Sequence, residues 1–226
     1  SSGKDTLNGQ DSIDNVMKGL GGNDTLRGRG GNDSLSGGTG DDKVYGDSGD
    51  DKVTGDSGND RVYGGFGNDR AYGGAGNDKV YGNAGHDRVY GGSGHDTVDG
   101  GSGNDRLYGG SGNDAFVFNS GLGTAATDRK VNFDTVVDFK VKDDSFLLDN
   151  AVFKKLGSGT LSNPTQLDAE FFTNSGRARE RDDYLIYNKK TGVLSYDADG
   201  SGSREAVEFA QLSKNLKLTY KDFFVI

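Results

Sequence analysis

Aspartates recur at a constant spacing of nine residues through the first half of this 226-residue chain. Stacked repeats would bring these carboxylates into register, and like charges held in register repel each other. A cation placed between them removes that repulsion, so the spacing indicates a cation-binding array. The formal charge of −9 is compatible with this and argues against a nucleic-acid partner. The candidate metal ligands are Asp24, Asp33, Asp42, Asp51, Asp60, Asp69, Asp78, Asp87, Asp96, Asp105 and Asp114.

Each aspartate is the sixth residue of a nine-residue unit, and eleven units run without insertion over residues 19–117. Positions one and four are always glycine, and position eight is always apolar. Glycine permits the positive φ and the bare backbone that tight turns need. Positions seven to nine alternate polar, apolar and polar, which predicts a three-residue strand with one buried face.

A turn and a short strand, repeated in this way, predict an all-β solenoid with two units per coil. Strands of alternate units would stack in parallel about 4.8 Å apart, and their aspartates would form columns. Pairing each unit with the one two further along allows up to about nine sites. The small inward side chains of a glycine-rich array offset little of the entropy lost on ordering. The metal-free array is therefore expected to be disordered.

Calcium is the cation that suits these turns, because it accepts six to eight oxygen ligands in irregular geometry, including backbone carbonyls. Magnesium prefers a strict octahedron, and zinc prefers Cys or His. The chain has no cysteine. His86 and His95, both at position five, are expected to be solvated turn residues on opposite edges.

The unit resembles the G-G-x-G-x-D-x-U-x nonapeptide of repeats-in-toxin (RTX) proteins. The resemblance implies a parallel β-roll with Ca²⁺ in its turns. One turn would offer the carbonyls of positions two and four and its aspartate, as in Gly65, Gly67 and Asp69. The turn two units on would offer those of positions one and three and its aspartate, as in Gly82, Ala84 and Asp87. The glycines implied as ligands are Gly22, Gly31, Gly40, Gly49, Gly58, Gly67, Gly76, Gly85 and Gly94, with Gly37, Gly46, Gly55, Gly64, Gly73, Gly82, Gly91, Gly100 and Gly109.

Four segments are predicted along the chain. Residues 1–18 are interpreted as a degenerate repeat with one extra residue before Gly19, and residues 19–118 as the calcium-binding β-roll. Residues 119–133 are interpreted as a linker, and residues 134–226 as a small β-rich capping and secretion-signal domain. Because the chain starts without Met, it is expected to be a fragment of a longer protein.

Strands are predicted in the last of these segments at residues 134–139, 184–187 and 193–196, the last two as a hairpin. Its phenylalanines are expected to cover the open end of the roll. The final five residues are an aspartate and four hydrophobic residues, which resemble the uncleaved type I secretion signal of serralysin-like and rhizobial RTX proteins. The alternative is a final strand in the core.

The resemblance implies a secreted, extracellular protein of a Gram-negative bacterium, with the type I secretion machinery as a partner through the C-terminus. A monomer without a membrane span is expected. The sequence has no nucleophile elbow, HExxH motif or P-loop, so no catalytic residue is assigned and this fragment is not expected to be an enzyme. The predicted function is a module that folds on calcium after secretion and stabilises, or assists export of, a larger protein.

Three alternatives stay open. The chain could be the C-terminal part of a secreted protease, lipase or glycanase. It could instead belong to an adhesin that binds polysaccharide through rows of Tyr at position nine and Lys or Arg at position seven. Residues 197–202, with Glu208 at position twelve, resemble the start of an EF-hand loop, and they are interpreted either as an independent calcium site or as a plain turn.

Overall fold

The computed structural model describes residues 2–127, 129–200 and 205–226, which form an all-β protein. Short 3₁₀ helices lie at Ala125–Thr127, Ala169–Phe171 and Tyr220–Asp222. The strands are β1 (Thr6–Asn8), β2 (Val16–Gly21), β3 (Thr25–Gly30), β4 (Ser34–Thr39), β5 (Lys43–Ser48), β6 (Lys52–Ser57), β7 (Arg61–Phe66), β8 (Arg70–Ala75), β9 (Lys79–Ala84), β10 (Arg88–Ser93), β11 (Thr97–Ser102), β12 (Arg106–Ser111), β13 (Ala115–Phe118), β14 (Asp134–Val136), β15 (Ser145–Leu148), β16 (Thr165–Gln166), β17 (Phe172–Thr173), β18 (Leu185–Asn188), β19 (Val193–Tyr196), β20 (Val207–Gln211) and β21 (Phe223–Val225).

Successive repeat strands alternate between two sheets, so each strand pairs in parallel with the strand two further along. One sheet has the order β1-β3-β5-β7-β9-β11-β13-β15-β21-β16. The other has the order β17-β18-β19-β20-β14-β12-β10-β8-β6-β4-β2. The pairing joins residues eighteen apart, such as Tyr45 with Tyr63. The predicted parallel β-solenoid is confirmed.

The repeat strands are longer than predicted. Those from β3 to β12 have six residues and cover positions seven to nine of one unit and one to three of the next, as in Lys43–Ser48, while the last repeat strand, β13, has four. Registered pairs skip position one: Tyr45 pairs with Tyr63, and the next pair is Asp47 with Gly65. The three-residue prediction was wrong because sheet pairing resumes at position two after the unpaired position one, which an alternation pattern cannot reveal.

The position-eight side chains fill the space between the two sheets. All eleven, from Leu26 to Phe116, have at most 1% of their surface exposed. A phenylalanine cluster continues this core beyond the repeats, where Phe146 stacks on Phe139 with ring centroids 4.2 Å apart and on Phe223 at 5.0 Å. The aromatic residues of the C-terminal segment therefore close the end of the roll, as expected.

Residues after the repeats extend both sheets. Strand β14 pairs with β12, and β15 pairs with β13, both in parallel. Strands β18 and β19 form the predicted antiparallel hairpin. The predicted strand at residues 134–139 is shorter and ends at Val136. Strand β21 lies between β15 and β16, so the last residues are a core strand in the folded chain. No helix in the described ranges is both long and apolar enough to cross a membrane.

The register of the degenerate N-terminal repeat was predicted wrongly. Met17 pairs with Leu35 and packs against the core, while Val16 is 77% exposed. Lys18 pairs with Ser36 and directly precedes Gly19, so no extra residue lies there. The extra residue belongs to the preceding turn, and it places Asn15 where the other units have aspartate. Burying the larger Met17 side chain decides this register.

Candidate calcium sites

The repeat aspartates form two buried columns, one from alternate units and one from the units between them. All eleven are between 1% and 3% exposed. Within the array, each Oδ1 accepts a hydrogen bond from the backbone N–H of the aspartate eighteen residues earlier, at 2.7–3.1 Å. For example, Asp51 donates to Asp69, which donates to Asp87. The columns predicted from the spacing are therefore present.

The second oxygen of every repeat carboxylate is the notable feature of these columns. All eleven Oδ2 atoms are buried, and none has a hydrogen-bond partner among the described residues. A buried carboxylate oxygen without a donor is costly in free energy. Because the cost recurs at the same atom of every turn, these oxygens fit a cation between successive turns.

Position-one glycines provide room for those oxygens. A Cβ added to Gly64 would lie 2.5 Å from Asp69 Oδ2 and 2.6 Å from the carbonyl oxygen of Gly82. The carboxylate of one unit and a carbonyl two units on therefore converge on the bare face of Gly64. Positive φ occurs instead at positions two and four, as at Gly65 (126°) and Gly67 (127°). The expected need for positive φ holds for position four, but position one needs glycine for space.

We call the space between the turns of two stacked units, one unit and the unit two further on, a step. The oxygens that surround one step are identified by the contacts of Asn15, the residue in the aspartate position of the degenerate repeat. Its Nδ2 donates to the carbonyl oxygens of Ile13 at 2.6 Å, Gln10 at 3.2 Å and Gly28 at 3.4 Å, and to Asp33 Oδ1 at 2.9 Å. Ile13 is at position four and Gly28 is at position one of the unit two further on. These are classes of oxygen that the RTX resemblance implies as calcium ligands, and here they converge on one point.

The electrostatics of the columns also favour a bound cation. Burial raises the pKa of Asp69 to about 7, more than the hydrogen bond from Asp51 lowers it, and the negative charge of Asp51 adds to the increase. Without a counter-charge, the central carboxylates are therefore poor anions at neutral pH. The pKa is about 7 for Asp60, Asp69, Asp87 and Asp96 and about 6 for Asp51, Asp78 and Asp105.

The donor set suits calcium rather than a metal bound mainly by side chains. In the described part of the chain, no three His, Cys, Asp or Glu side chains gather at one point. At Gly64 a column carboxylate, that of Asp69, lies beside a backbone carbonyl, that of Gly82, and such mixed oxygen sets are what Ca²⁺ accepts.

A second hydrogen-bond ladder, at position five, was not predicted. Here the backbone N–H of the later unit donates to the side chain of the earlier one, as from Asn59 to Asp41 Oδ1 at 2.8 Å. The histidines take part through Nδ1, which accepts from Asn104 at 3.0 Å in His86 and from Asn113 at 2.9 Å in His95. Both histidines are exposed turn residues, as expected. The preference for Asn, Asp or His at position five is the feature of the sequence that could have predicted this hydrogen-bond ladder.

The columns also continue beyond the repeats, which the sequence did not reveal. Asp105 donates its backbone N–H to Asp134 Oδ1 at 3.0 Å, and Asp114 donates to Asp144 Oδ1 at 3.1 Å. Burial raises the pKa of Asp134 well above its ordinary value, and the charge of Asp105 adds to this. These residues follow the last column members by 29 and 30 residues instead of 18, so a search at the repeat spacing misses them.

Two further predicted features are located as follows. Tyr45, Tyr63 and Tyr81 stack at 4.8 Å along one sheet, and an equivalent row of three lies on the other. The Arg27 guanidinium lies 4.3 Å from the Tyr45 ring centroid, so most ring faces in this row are covered.

In the EF-hand-like segment, Asp199 N–H donates to Asp197 Oδ1 at 3.2 Å. Ser201 and Gly202 lie outside the described residues.

The repeats match the model of the family described as RTX calcium-binding nonapeptide repeat (4 copies). Together the matches span residues 11–124, half of the chain, and the chain belongs to this family. Its repeats are therefore a calcium-binding β-roll. The matched ranges are 11–44, 18–53, 54–89, 63–98, 81–116 and 90–124.

Among solved structures, the chain is similar to the crystal structure of extracellular lipase LipA from Serratia marcescens. The identity is 14% and the TM-score 0.32, over 93% of this chain and 42% of the lipase. The chain thus spans less than half the length of that protein. No curated protein matches it.

Proposed function

We propose that this chain is a calcium-driven folding module of a larger secreted protein. The observation that supports it best is the recurring buried Oδ2 that has no hydrogen-bond donor among the described residues, since eleven such atoms strongly oppose folding unless cations compensate them. At low cytosolic calcium the repeats stay unfolded, and at extracellular calcium the columns fill and the roll forms. Metal binding of this kind supplies folding free energy directly.

The ligands in this proposal are the column aspartates and the position-one and position-four glycine carbonyls. An interior residue such as Asp69 faces two steps, because its Oδ1 meets the turn of Asp51 and its own turn meets Asp87 Oδ1. Each ion therefore shares carboxylates with its neighbours, so filling one step orders the next. Up to about nine ions in the array follow from eleven units.

Type I secretion through the C-terminus is the second part of the proposal. In the folded chain, Phe223 and Val225 are buried in a strand that pairs with β15. A transporter can therefore read these residues only while the chain is unfolded, and scarcity of calcium in the cytosol keeps it so. The roll then stabilises the parent protein after export, whether that parent is a hydrolase or an adhesin.

The folding step is tested by circular dichroism of the full chain during titration with calcium from a chelator. We expect the β signal to appear cooperatively with calcium, and an equal concentration of magnesium to be ineffective. A chain already β-structured in chelator, or one that magnesium folds equally well, would refute the proposal.

The secretion step is tested with Phe224, whose side chain is only half-buried. In cells carrying a type I transporter, F224S should reduce export, while the purified variant should fold with calcium as the parent does. The exposed K221S is the matched control and should export normally. Equal export of both variants would count against a signal in these residues.

A further inference from the structure

Residues 132–135 rebuild a repeat turn outside the repeats. Asn132 has φ 48° and stands at position four, where every repeat has a glycine with positive φ. Asp134 then takes the place of the column aspartate and accepts from Asp105 N–H at 3.0 Å. Thr135 N–H donates to the Asp105 carbonyl at 2.8 Å, as position seven does throughout the array.

The step between these two turns has the same unsatisfied oxygen as the steps inside the array. Asp105 is 1% exposed and its Oδ2 has no partner in the described chain, while Asp134 is 5% exposed. The hydrogen bonds described to these two carboxylates come from backbone N–H groups, from Asp87 to Asp105 Oδ1 and from Asp105 to Asp134 Oδ1. Two buried carboxylates thus face one step, as they do within the array.

The other column ends with the same kind of oxygen, since Asp114 Oδ2 is also buried without a hydrogen-bond partner among the described residues, but the neighbouring groups differ. Asp144 Oδ1 accepts from Asp114 N–H, but Asp144 Oδ2 already accepts from the backbone N–H of Lys140 at 2.8 Å. The Lys140 ammonium in turn donates to the carbonyl oxygen of Gly110, at position two of the last unit. A protein cation therefore lies against a carbonyl of the class implied as a calcium ligand.

A protein donor also closes the first step of the Asp33 column. The Asn15 Nδ2 contacts four oxygens of that step, including Asp33 Oδ1 and the Gly28 carbonyl. An amide at the sixth position can thus replace a metal without disturbing the turn. Asn15 therefore shows which contacts an asparagine side chain makes at position six, and the same contacts are expected of asparagine at this position in other turns.

We propose that the Asp33 column has one calcium site beyond the repeats, between Asp105 and Asp134, and that the other column ends without one because the Lys140 ammonium takes the place of the ion. The inference rests on the proposed calcium binding of the array. The ligands would be the Asp105 and Asp134 carboxylates with the carbonyls of Gly101 and Gly103. The number of ions then depends on residues at the column ends as well as on the repeats.

The test counts bound Ca²⁺ in the full chain by native mass spectrometry at saturating calcium, with circular dichroism to establish folding. D134N should bind one ion fewer than the parent, because its amide fills the step as Asn15 does. D144N is the matched control, at the same place in the other column, and should bind the same number. N15D should gain one ion, because it replaces the closing amide by a carboxylate.

An unchanged count in D134N, or a loss of one ion in D144N as well, would overturn the inference. A crystal structure with calcium is an independent check, since density between Asp105 and Asp134 is expected and none between Asp114 and Asp144. If D134N fails to fold, that structure of the parent chain decides the question. A parent chain that binds no calcium would refute the proposed function itself, which is a distinguishable result.

Discussion

Replacing Asp69 by asparagine tests the role of the columns most directly. In D69N the side-chain carbonyl oxygen can still accept from Asp51 N–H, so the turn keeps its hydrogen bond. What changes is the Oδ2 atom, which is buried in the parent with no hydrogen-bond partner in the described part of the chain and is replaced by an amide donor. One carboxylate is then missing from the steps on both sides.

The magnitude follows from the number of ligands lost. An interaction with a charged group contributes about 1.5–3 kcal/mol, so two weakened steps cost about 3–6 kcal/mol of calcium-coupled folding. When this free-energy cost is divided among about eight remaining ions, the calcium concentration at the midpoint of folding rises only about two- to fourfold. The cooperativity of the transition should also fall, because the array is divided near its middle.

The assay is a calcium titration followed by circular dichroism, with D41N as the matched control. The D41N substitution makes the same change of charge at the exposed position five. The Oδ1 of Asp41 also accepts a backbone hydrogen bond, from Asn59. D41N should leave the midpoint within about 1.3-fold of the parent, since exposed charges contribute little. Equal shifts in D69N and D41N would refute the reasoning, because net charge alone would then explain them.

Three further predictions concern the turns. In chelator, lowering the pH from 7 to 4 should increase the β signal in circular dichroism. The pKa of Asp69 is raised to about 7 in the folded chain and is ordinary in the unfolded chain, so protonation favours the roll. An unchanged circular dichroism signal would contradict this. G64A should raise the calcium midpoint several-fold because its Cβ meets Asp69 Oδ2, whereas G121A, whose Cβ would have none of the described atoms within 4 Å, should not. Equal midpoints would show that the space at Gly64 is not needed. R29G should stabilise the calcium-loaded chain to urea by about 1 kcal/mol, because Arg29 is held at φ 77°, and an unchanged urea midpoint would argue against strain there.

The ends of the two aspartate columns show which groups can compensate the last carboxylate of a column. A neutral or positive group at the end of a row of shared ions compensates a last carboxylate that would otherwise keep an unpaired charge in a buried place. Asn15 at one end and Lys140 at another are groups of this kind. Both are supplied by residues outside the eleven regular units.

The repeats were predictable because a nine-residue period leaves little freedom. Glycine at positions one and four, aspartate at six and an apolar residue at eight suffice to predict a parallel solenoid with aspartate columns. The same pattern could not show that strands extend to position three, because position two is variable in sequence and only the positive sign of its backbone φ is shared by all units. It also misassigned the degenerate repeat, where the packing of Met17 outweighed the apparent spacing.

The amino-acid sequence by itself determined the fold of the array, the inward residues and the choice of calcium, because these depend on local chemistry repeated at constant spacing. Only the tertiary structure decided where the columns end. Asp134 reaches its place across a 29-residue separation, and Lys140 reaches Gly110 across thirty. Contacts of this kind depend on how an irregular segment packs against the last coil, and periodicity carries no information about that packing.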